Sequence, residues 1–134
     1  MYMLDTNICI YIIKKKPLEI IEKFRSFSAS EIGISSITLA ELEYGVSKSQ
    51  HVEKNREALA MFVSPLEILD FDSSASVVYG EIRAELEKTG NIIGSMDMLI
   101  AAHALSVNAT LVTNNIKEFE RVKHLRVENW VVNF

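Results

Sequence analysis

The stretch Tyr2-Met3-Leu4-Asp5-Thr6-Asn7 at the start of the chain indicates the fold class. Its apolar half has the composition of a short strand, and Asp5-Thr6-Asn7 has the residue types that cap the first turn of a helix. The sequence therefore predicts a strand that ends at Asp5 and a helix that continues to Ile13. A short apolar strand followed directly by a helix is typical of a parallel sheet covered by helices.

The same alternation continues along the chain. Further strands are predicted at 32–34, 66–69 and 110–113, with a last strand near 125–127 or 130–132. Helices are predicted from Pro17 to about Phe27, from Thr38 to about Val46, from about Glu53 to Phe62, from a cap at Ser73 or Ser74 to Gly90, from Asp97 to about Ser106, and from Lys117 to Arg121. This order predicts an α/β fold, a three-layer α/β/α sandwich around a central, mostly parallel sheet of about four to five strands.

Length and composition limit the class of protein. The chain has 134 residues, which favours a single domain over residues 1–134. Apolar residues make up 49% and charged residues 24%, values that exclude a disordered tail, a collagen-like fibre and a disulfide scaffold. The net charge of −4 argues against a chain that binds nucleic acid through its overall charge.

The sequence favours a soluble, cytoplasmic protein. Cys9 is the only cysteine, so no internal disulfide can form and a reducing compartment is the simplest setting. The longest uncharged stretch, Met98–Ile116, contains His103 and several asparagines, which a membrane span rarely accepts. No secretory signal is recognisable before the first acidic residue, Asp5.

Three carboxylates lie near the predicted ends of strands. Asp5 ends the first strand, Glu41 lies on the helix after the second strand, and Asp97 opens a later helix. Taken singly, each aspartate is explained as a helix N-cap and the glutamate as a solvated side chain. Because sites in parallel sheets form beyond the carboxyl ends of the strands, the sheet could also bring all three together. Glu43 points about 200° away from Glu41 on the same helix, so at most one of the two faces such a site.

A cluster of these carboxylates would need a cation. Neighbouring carboxylates raise one another's pKa unless a positive charge neutralises them. Oxygen ligands suit Mg²⁺ or Mn²⁺, whereas zinc would call for grouped histidines or cysteines. His51, His103 and His124 are scattered and have no metal-binding spacing, and His103 is expected to be an ordinary helix residue.

Four ordered motifs extend this pattern. They are Met3-Leu4-Asp5-Thr6-Asn7, residues 34–42 (ISSITLAEL), residues 93–104 (IGSMDMLIAAHA), and Leu111-Val112-Thr113-Asn114-Asn115 with Glu118-Phe119. Together they resemble the PIN-domain ribonuclease toxins, and most closely the VapC family of bacterial toxin–antitoxin pairs. Lesser matches extend the resemblance over nearly the whole chain, at Tyr44-Gly45, Tyr79-Gly80, Arg83-Ala84 and Glu128-Asn129-Trp130.

The resemblance implies a PIN fold that cleaves RNA with Mg²⁺, or Mn²⁺ in its place. It implies that Asp5 and Asp97 are metal ligands and that Glu41 is the third acid, acting directly or through a water. Asn115 stands where many PIN domains carry a fourth acid, so weaker metal binding or a single ion is expected, with Asn115 as a ligand through its amide oxygen. Glu118 and Glu120 could replace that acid or cover the surface of a short helix. The family also places small polar residues that orient the acids at Thr6, Asn7, Ser35 and Thr113.

The expected reaction is phosphodiester hydrolysis, in which a water activated by the cation attacks the phosphorus in line. Attack by the 2′-hydroxyl of the RNA would require an acid–base pair such as two histidines, and the sequence places none near the acids. Basic side chains are expected to contact phosphates around the acids. They form two clusters, Lys14-Lys15-Lys16 and the group Lys117, Arg121, Lys123, His124 and Arg126.

The resemblance also implies partners. A VapB-like antitoxin is expected to block the site with its C-terminal segment and to make the operator DNA contacts of the pair, in an assembly that contains a toxin homodimer. The RNA is expected to be a tRNA, with the anticodon loop of the initiator tRNA as the specific expectation. One alternative is a catalytically silent PIN-like module that binds RNA or a partner, which Asn115 favours. A receiver-like signalling domain is the other, although no lysine stands where its last strand would require one.

Overall fold

In the computed structural model, which describes residues 1–131, five short strands form one sheet in the order β3-β2-β1-β4-β5. Every neighbouring pair is parallel. The strands are β1 (Tyr2–Leu4), β2 (Ile32–Ser35), β3 (Glu67–Leu69), β4 (Thr110–Val112) and β5 (Val127–Glu128). The predicted parallel sheet is therefore confirmed.

Helices connect the strands and cover both faces of the sheet. They are α1 (Thr6–Lys14), α2 (Leu18–Arg25), α3 (Ser36–Ser47), α4 (Val52–Val63), α5 (Ser73–Thr89), α6 (Ser95–Ser106) and α7 (Ile116–Phe119), with one 3₁₀ turn at Ala29–Glu31 before β2. Since neighbouring strand residues point to opposite faces, Leu4 joins a core with α1 to α4, whereas Met3 joins a second core with α5 to α7. This is the predicted three-layer arrangement.

The sheet order determines where a site can form. From β1 the chain moves outward to β2 and β3 and then returns to the other side of β1 with β4 and β5. The strand order thus reverses between β1 and β4, and the carboxyl ends of parallel strands diverge there into a crevice. Asp5 follows β1 and Thr113 follows β4 at this point.

Several predicted element ends were wrong because side-chain caps lie elsewhere. Helix α3 begins at Ser36 and not at Thr38, since Ser35 caps it by accepting from the Ile37 amide at 3.0 Å. Asp72, rather than Ser73 or Ser74, caps α5. Gly90 does end α5, in the left-handed conformation that glycine readily adopts (φ 72°).

Other differences concern the later elements. Helix α6 begins at Ser95, so Asp97 lies inside its first turn and is not its N-cap. Helix α7 ends at Phe119, before the predicted end at Arg121. Strand β5 overlaps the earlier of its two predicted positions, 125–127, only at Val127. Residues 130–131 are not a strand, and 132–134 lie outside the described residues. None of the helices described is both long and apolar enough to span a bilayer.

Candidate active site

Asp5 both caps helix α1 and faces the crevice at the strand-order reversal. Its Oδ1 atom accepts from the Ile8 amide at 2.9 Å, and its carboxylate also accepts from the hydroxyl of Thr113. The residue is only 5% exposed. Burial raises the pKa of Asp5, the hydrogen bonds from Thr113 and Ile8 oppose that shift, and the charge of Glu41 adds to it. The capping role and the site role are thus compatible.

Glu41 reaches the same place from helix α3. The Thr6 hydroxyl donates to its Oε1 atom at 2.6 Å and joins the first turn of α1 to α3. Glu43 points the other way and pairs with Arg56 on α4 at 3.0 Å. The prediction that only one of these glutamates faces the crevice is confirmed.

Asp97 completes a cluster of three acids from distant parts of the chain. Burial raises its pKa to about 7, and contact with Glu118 and the charges of Asp5 and Glu41 add to the effect. None of the ion pairs found within residues 1–131 includes any of these four carboxylates. Within the described residues the nearest basic influence is that of Arg121, whose charge lowers the pKa of Glu118 without forming an ion pair with it.

Glu118 is the site residue that the sequence left undecided. Its Oε1 accepts from the Gly94 amide at 3.0 Å, its Oε2 accepts from the Asn115 side chain at 2.6 Å, and it shares a hydrogen bond with Asp97. Burial acts to raise the pKa of Glu118, but these hydrogen bonds, together with the charge of Arg121, outweigh it and lower the pKa. The contact between the two carboxyl groups thus raises the pKa of Asp97 and lowers that of Glu118.

A sequence signal for Glu118 exists in its spacing. It follows Asn115 by three residues across the start of α7, and residues so spaced share one side of a helical turn. Asn115 is exposed and uses its side-chain nitrogen to hold Glu118, while its backbone amide donates to the Thr113 hydroxyl at 2.9 Å. The position predicted for the fourth acid thus supports a carboxylate one turn away.

Gly94 leaves room for the two acids nearest to it. A Cβ atom there would lie 3.4 Å from Oδ2 of Asp97 and 3.7 Å from Oε1 of Glu118. A side chain at this position would therefore lie in contact with both carboxylates.

The small polar residues predicted to orient the acids differ in position. Thr6 and Thr113 contact Glu41 and Asp5 directly, whereas Asn7 offers Asp5 its backbone amide and leaves its side chain exposed. Ser35 is fully buried, and its hydroxyl lies 2.7 Å from Nδ1 of His103 instead of near an acid.

His103 is a structural residue of α6, as predicted. It is 1% exposed and lies with its ring 5.5 Å from the Phe71 ring in an edge contact. Burial lowers the pKa of His103, and the charges of Asp72 and Asp70 oppose that shift.

The two predicted basic clusters differ in their surroundings. Lys14, Lys15 and Lys16 are exposed at the far end of α1, about 13 Å of helix from Asp5. The second cluster is mostly engaged in structural contacts. Arg121 donates to the Ile92 carbonyl at 3.0 Å, Lys123 pairs with Glu85 at 3.4 Å, and Arg126 donates to Asn108 and Thr110, while Lys117 is exposed on α7 beside Glu118.

The donor chemistry of the cluster suits a hard divalent cation. Its side chains offer carboxylate and amide oxygens, which Mg²⁺ and Mn²⁺ prefer. As the side chains stand in residues 1–131, no three or more His, Cys, Asp or Glu residues are already arranged to hold an ion. Thr6 and Asn115 instead hold Glu41 and Glu118 by hydrogen bonds, and carboxylates without a cation repel one another. The residues thus fit a metal ion in chemistry, and binding would require their side chains to turn.

Comparison with known proteins matches nearly the whole chain to one family. The family model of the PIN domain matches residues 2–125. The chain is 55% identical to "Ribonuclease VapC2" of Rickettsia felis, over 96% of this chain and 97% of that protein. It is 48% identical to "tRNA(fMet)-specific endonuclease VapC" of Shigella flexneri, again over 96% of this chain and 97% of that protein.

A similar solved structure has the same fold. The crystal structure of VapBC2 from Rickettsia felis bound to a DNA fragment from their promoter contains a chain 53% identical to this one, with a TM-score of 0.92. The match covers 97% of this chain and 98% of that chain.

Proposed function

The chain belongs to the PIN-domain family, among its VapC ribonucleases, and on that premise we propose that it is the toxin of a toxin–antitoxin pair. The site that hydrolyses RNA would consist of Asp5, Glu41, Asp97 and Glu118. These four residues are called the acid centre below. The observation that carries the proposal is the convergence of carboxylates from four separate segments, where burial and mutual charge raise the pKa of Asp97 to about 7. Such crowding of acids is typical of a metal-dependent nuclease site.

PIN-domain nucleases generally use divalent metal ions. For this chain we propose Mg²⁺, with Mn²⁺ as a substitute. Asp5 and Asp97 would hold it, with Glu41 binding directly or through water. Glu118, and the amide oxygen of Asn115, would complete the site. When bound, the cation would neutralise charge on the phosphate and lower the pKa of the attacking water.

The residues of the chain itself would orient the reaction. Thr113 holds the carboxylate of Asp5 and Thr6 holds that of Glu41, which limits the rotation of both side chains. Because Thr6 bonds only Oε1 of Glu41, the Oε2 atom would be free to accept the proton of the attacking water. Hydrolysis of this kind leaves a 5′-phosphate and a 3′-hydroxyl on the two RNA fragments.

For the substrate we propose tRNA(fMet), cut in its anticodon loop. The support is the 48% identity to proteins called tRNA(fMet)-specific endonuclease VapC. This substrate locates the reaction in the cytoplasm.

For the partner we propose a VapB-like antitoxin whose C-terminal segment occupies an apolar groove beside Glu41. The groove has a volume of about 340 Å³ and lies between α1, α3 and α4. Its apolar lining consists of Ile10, Ile13, Leu42, Val46, Ala58 and Leu59. An apolar segment seated there could extend a basic side chain to the acid centre and replace the charge of the cation.

The same partner would connect the chain to DNA. A similar solved structure is described as VapBC2 bound to a DNA fragment from their promoter. We propose that the antitoxin makes the operator contacts here, and that the toxin forms a homodimer within the hetero-oligomer.

A catalytically silent binding module is the second candidate, because Asn115 replaces an acid. Glu118 argues against it, since this residue supplies a carboxylate to the same cluster.

The test is RNA cleavage by the purified chain with and without Mg²⁺. Asp5→Asn, Asp97→Asn and Glu41→Gln are expected to lower cleavage at least 100-fold, a usual cost of losing a metal ligand or base. Glu43→Gln is the matched control, since it changes the same helix but only an exposed ion pair. Cleavage that persists in Asp97→Asn, or that needs no metal, would reject the proposal, and binding without cleavage by the unmodified chain would favour the silent module.

A further inference from the structure

Helix α1 presents three different surfaces to its surroundings. Its buried side consists of Ile8, Cys9 and Ile12. A second side turns towards α3, where Thr6 bonds to Glu41 and Ile10 and Ile13 line the apolar groove. The third side is polar and exposed and leads away from the acid centre.

The polar side begins at Asn7, two residues after Asp5. Asn7 and Lys14 are both exposed and point within about 20° of each other, separated by about 10 Å along the helix. Lys15 follows at the C-terminal end of α1 and is also exposed.

Tyr11 lies between these residues and is tied to the acid centre. The Asn114 side chain donates to its phenolic oxygen at 3.0 Å. Asn114 directly follows Thr113, whose hydroxyl contacts Asp5. Because the phenolic oxygen accepts this bond, its own proton remains available to a further acceptor.

The lysines of this side are available for binding. Among the ion pairs of the described residues, none includes Lys14 or Lys15. Arg121 and Lys123 of the other basic cluster are instead held by Ile92 and Glu85. Free cations next to neutral hydrogen-bond donors are the usual contacts to phosphate oxygens.

We propose that Asn7, Tyr11, Asn114, Lys14 and Lys15, named here the α1 face, bind the RNA strand beside the phosphate that is cut. The Tyr11 hydroxyl and the Asn114 amide donate to one phosphate, and the lysines neutralise the next. This inference rests on the proposed function, because it places the substrate of that same acid centre.

The two sides of α1 differ in chemistry, and each suits a different ligand: one suits the protein partner and the other suits RNA. The groove side is apolar and suits a peptide segment, whereas the α1 face carries cations and hydroxyl or amide donors. Lys14 borders both surfaces, since it also lines the groove. Tyr11 and Lys15 line no part of that groove and therefore distinguish the two ligands.

The experiment measures binding of a fluorescently labelled single-stranded RNA at several salt concentrations in the Asp97→Asn background, where cleavage does not interfere. Tyr11→Phe keeps the ring and removes one donor, so we expect about tenfold weaker binding with an unchanged salt slope. Lys15→Asn suits the left-handed backbone at that position (φ 59°) and is expected to lower the salt slope by about 0.7. Tyr79→Phe and Lys88→Gln on α5 are the matched controls, because Tyr79 is half-buried like Tyr11 and Lys88 is exposed like Lys15.

The same substitutions in the cleaving chain provide the second measurement. Tyr11→Phe is expected to raise KM and leave kcat nearly unchanged, since it contacts RNA away from the reacting atoms. Unchanged RNA affinity in both Tyr11→Phe and Lys15→Asn, while the chain still cuts RNA, would overturn the α1 face and leave the proposed function standing. Weaker antitoxin binding with unchanged RNA binding would also overturn it and assign the face to the partner. A chain that neither binds nor cuts RNA would reject the proposed function itself.

Discussion

The backbone amide of Gly94 donates to the Oε1 atom of Glu118 at 3.0 Å, across 24 positions of sequence. This contact joins the loop before α6 to α7 and brings Glu118 to Asp97. A fourth carboxylate therefore lies beside Asp97, although Asn115 stands where many PIN domains carry an acid.

Glu118→Gln is expected to weaken metal binding more than it weakens folding. The change removes a charge from the acid centre but keeps the side chain's size, so we expect at least a tenfold increase in the Mg²⁺ concentration that gives half-maximal RNA cleavage. Glu120→Gln, two residues further along the chain and exposed, is the control. Equal Mg²⁺ requirements in the two variants would contradict the role of Glu118.

Gly94→Ala tests whether the space beside the acids matters. The added Cβ would lie 3.4 Å from Oδ2 of Asp97, in van der Waals contact with it, and would restrict the turning of that carboxylate which metal binding requires. We expect reduced RNA cleavage at limiting Mg²⁺ with a melting temperature close to that of the unmodified chain, measured in parallel. Gly80→Ala, where an added Cβ meets no atom within 4 Å, should leave the Mg²⁺ requirement unchanged.

Asp97→Asn is expected to stabilise the metal-free protein while abolishing cleavage. Burial and neighbouring carboxylates raise the pKa of Asp97 to about 7, so its charged form is unfavourable in the folded state. Removing that charge should contribute on the order of 1 kcal/mol and raise Tm by a few degrees above neutral pH in EDTA. Mg²⁺ should then stabilise the unmodified chain by mass action but not the variant. A lower Tm in the EDTA-treated variant would contradict this account.

His103 is expected to make stability depend on mild acidification. Burial lowers the pKa of His103 from its ordinary value of 6.5, so the unfolded chain binds a proton more readily than the folded one. Stability is therefore retained above about pH 6.5 and lost as the pH falls below it. Denaturant unfolding from pH 7 to pH 5 should show a smaller loss in His103→Asn, although that variant is less stable at pH 7 because the Phe71 contact is reduced. His51→Asn, at an exposed site, should keep the slope of the unmodified chain.

Ala58→Glu tests the groove proposed for the antitoxin. Ala58 lines the groove on α4 and is only half-buried, so the longer acidic side chain can be accommodated in the free protein. In the complex it would place a charge among apolar residues, and we expect at least tenfold weaker antitoxin binding. RNA cleavage should persist and escape inhibition. Ala60→Glu, exposed on the same helix and outside the groove lining, should bind the antitoxin normally.

Local patterns made most of the fold predictable. Short apolar strands, Gly90 after α5 and the capping residue types at Asp5 are signals that act within a few residues, and the structure confirms each of them. The same local reasoning failed where several candidates stood side by side. Asp72 caps α5 although Ser73 and Ser74 follow it, because only the backbone path decides which side chain reaches the free amide.

The candidate site was predictable in part for a similar reason. Asp5, Glu41 and Asp97 belong to motifs near the ends of parallel strands, so the topology of the sheet alone is enough to bring them towards one edge. Ser35 belongs to the same motifs, yet it contacts His103 and not an acid. A motif records that a residue is near a site, whereas its partner depends on the direction of its side chain.

The order of apolar and capping residues along the chain was thus sufficient to predict the alternating strands and helices and the carboxylates that follow them, because these signals act over a few residues. Only the tertiary structure decided that Glu118 lies beside Asp97, that Lys14 and Lys15 form no ion pair within the described residues, and that Arg121 and Lys123 are held by the Ile92 carbonyl and by Glu85. Those outcomes depend on distances between atoms far apart in sequence, which exist only once the two cores have packed on the sheet.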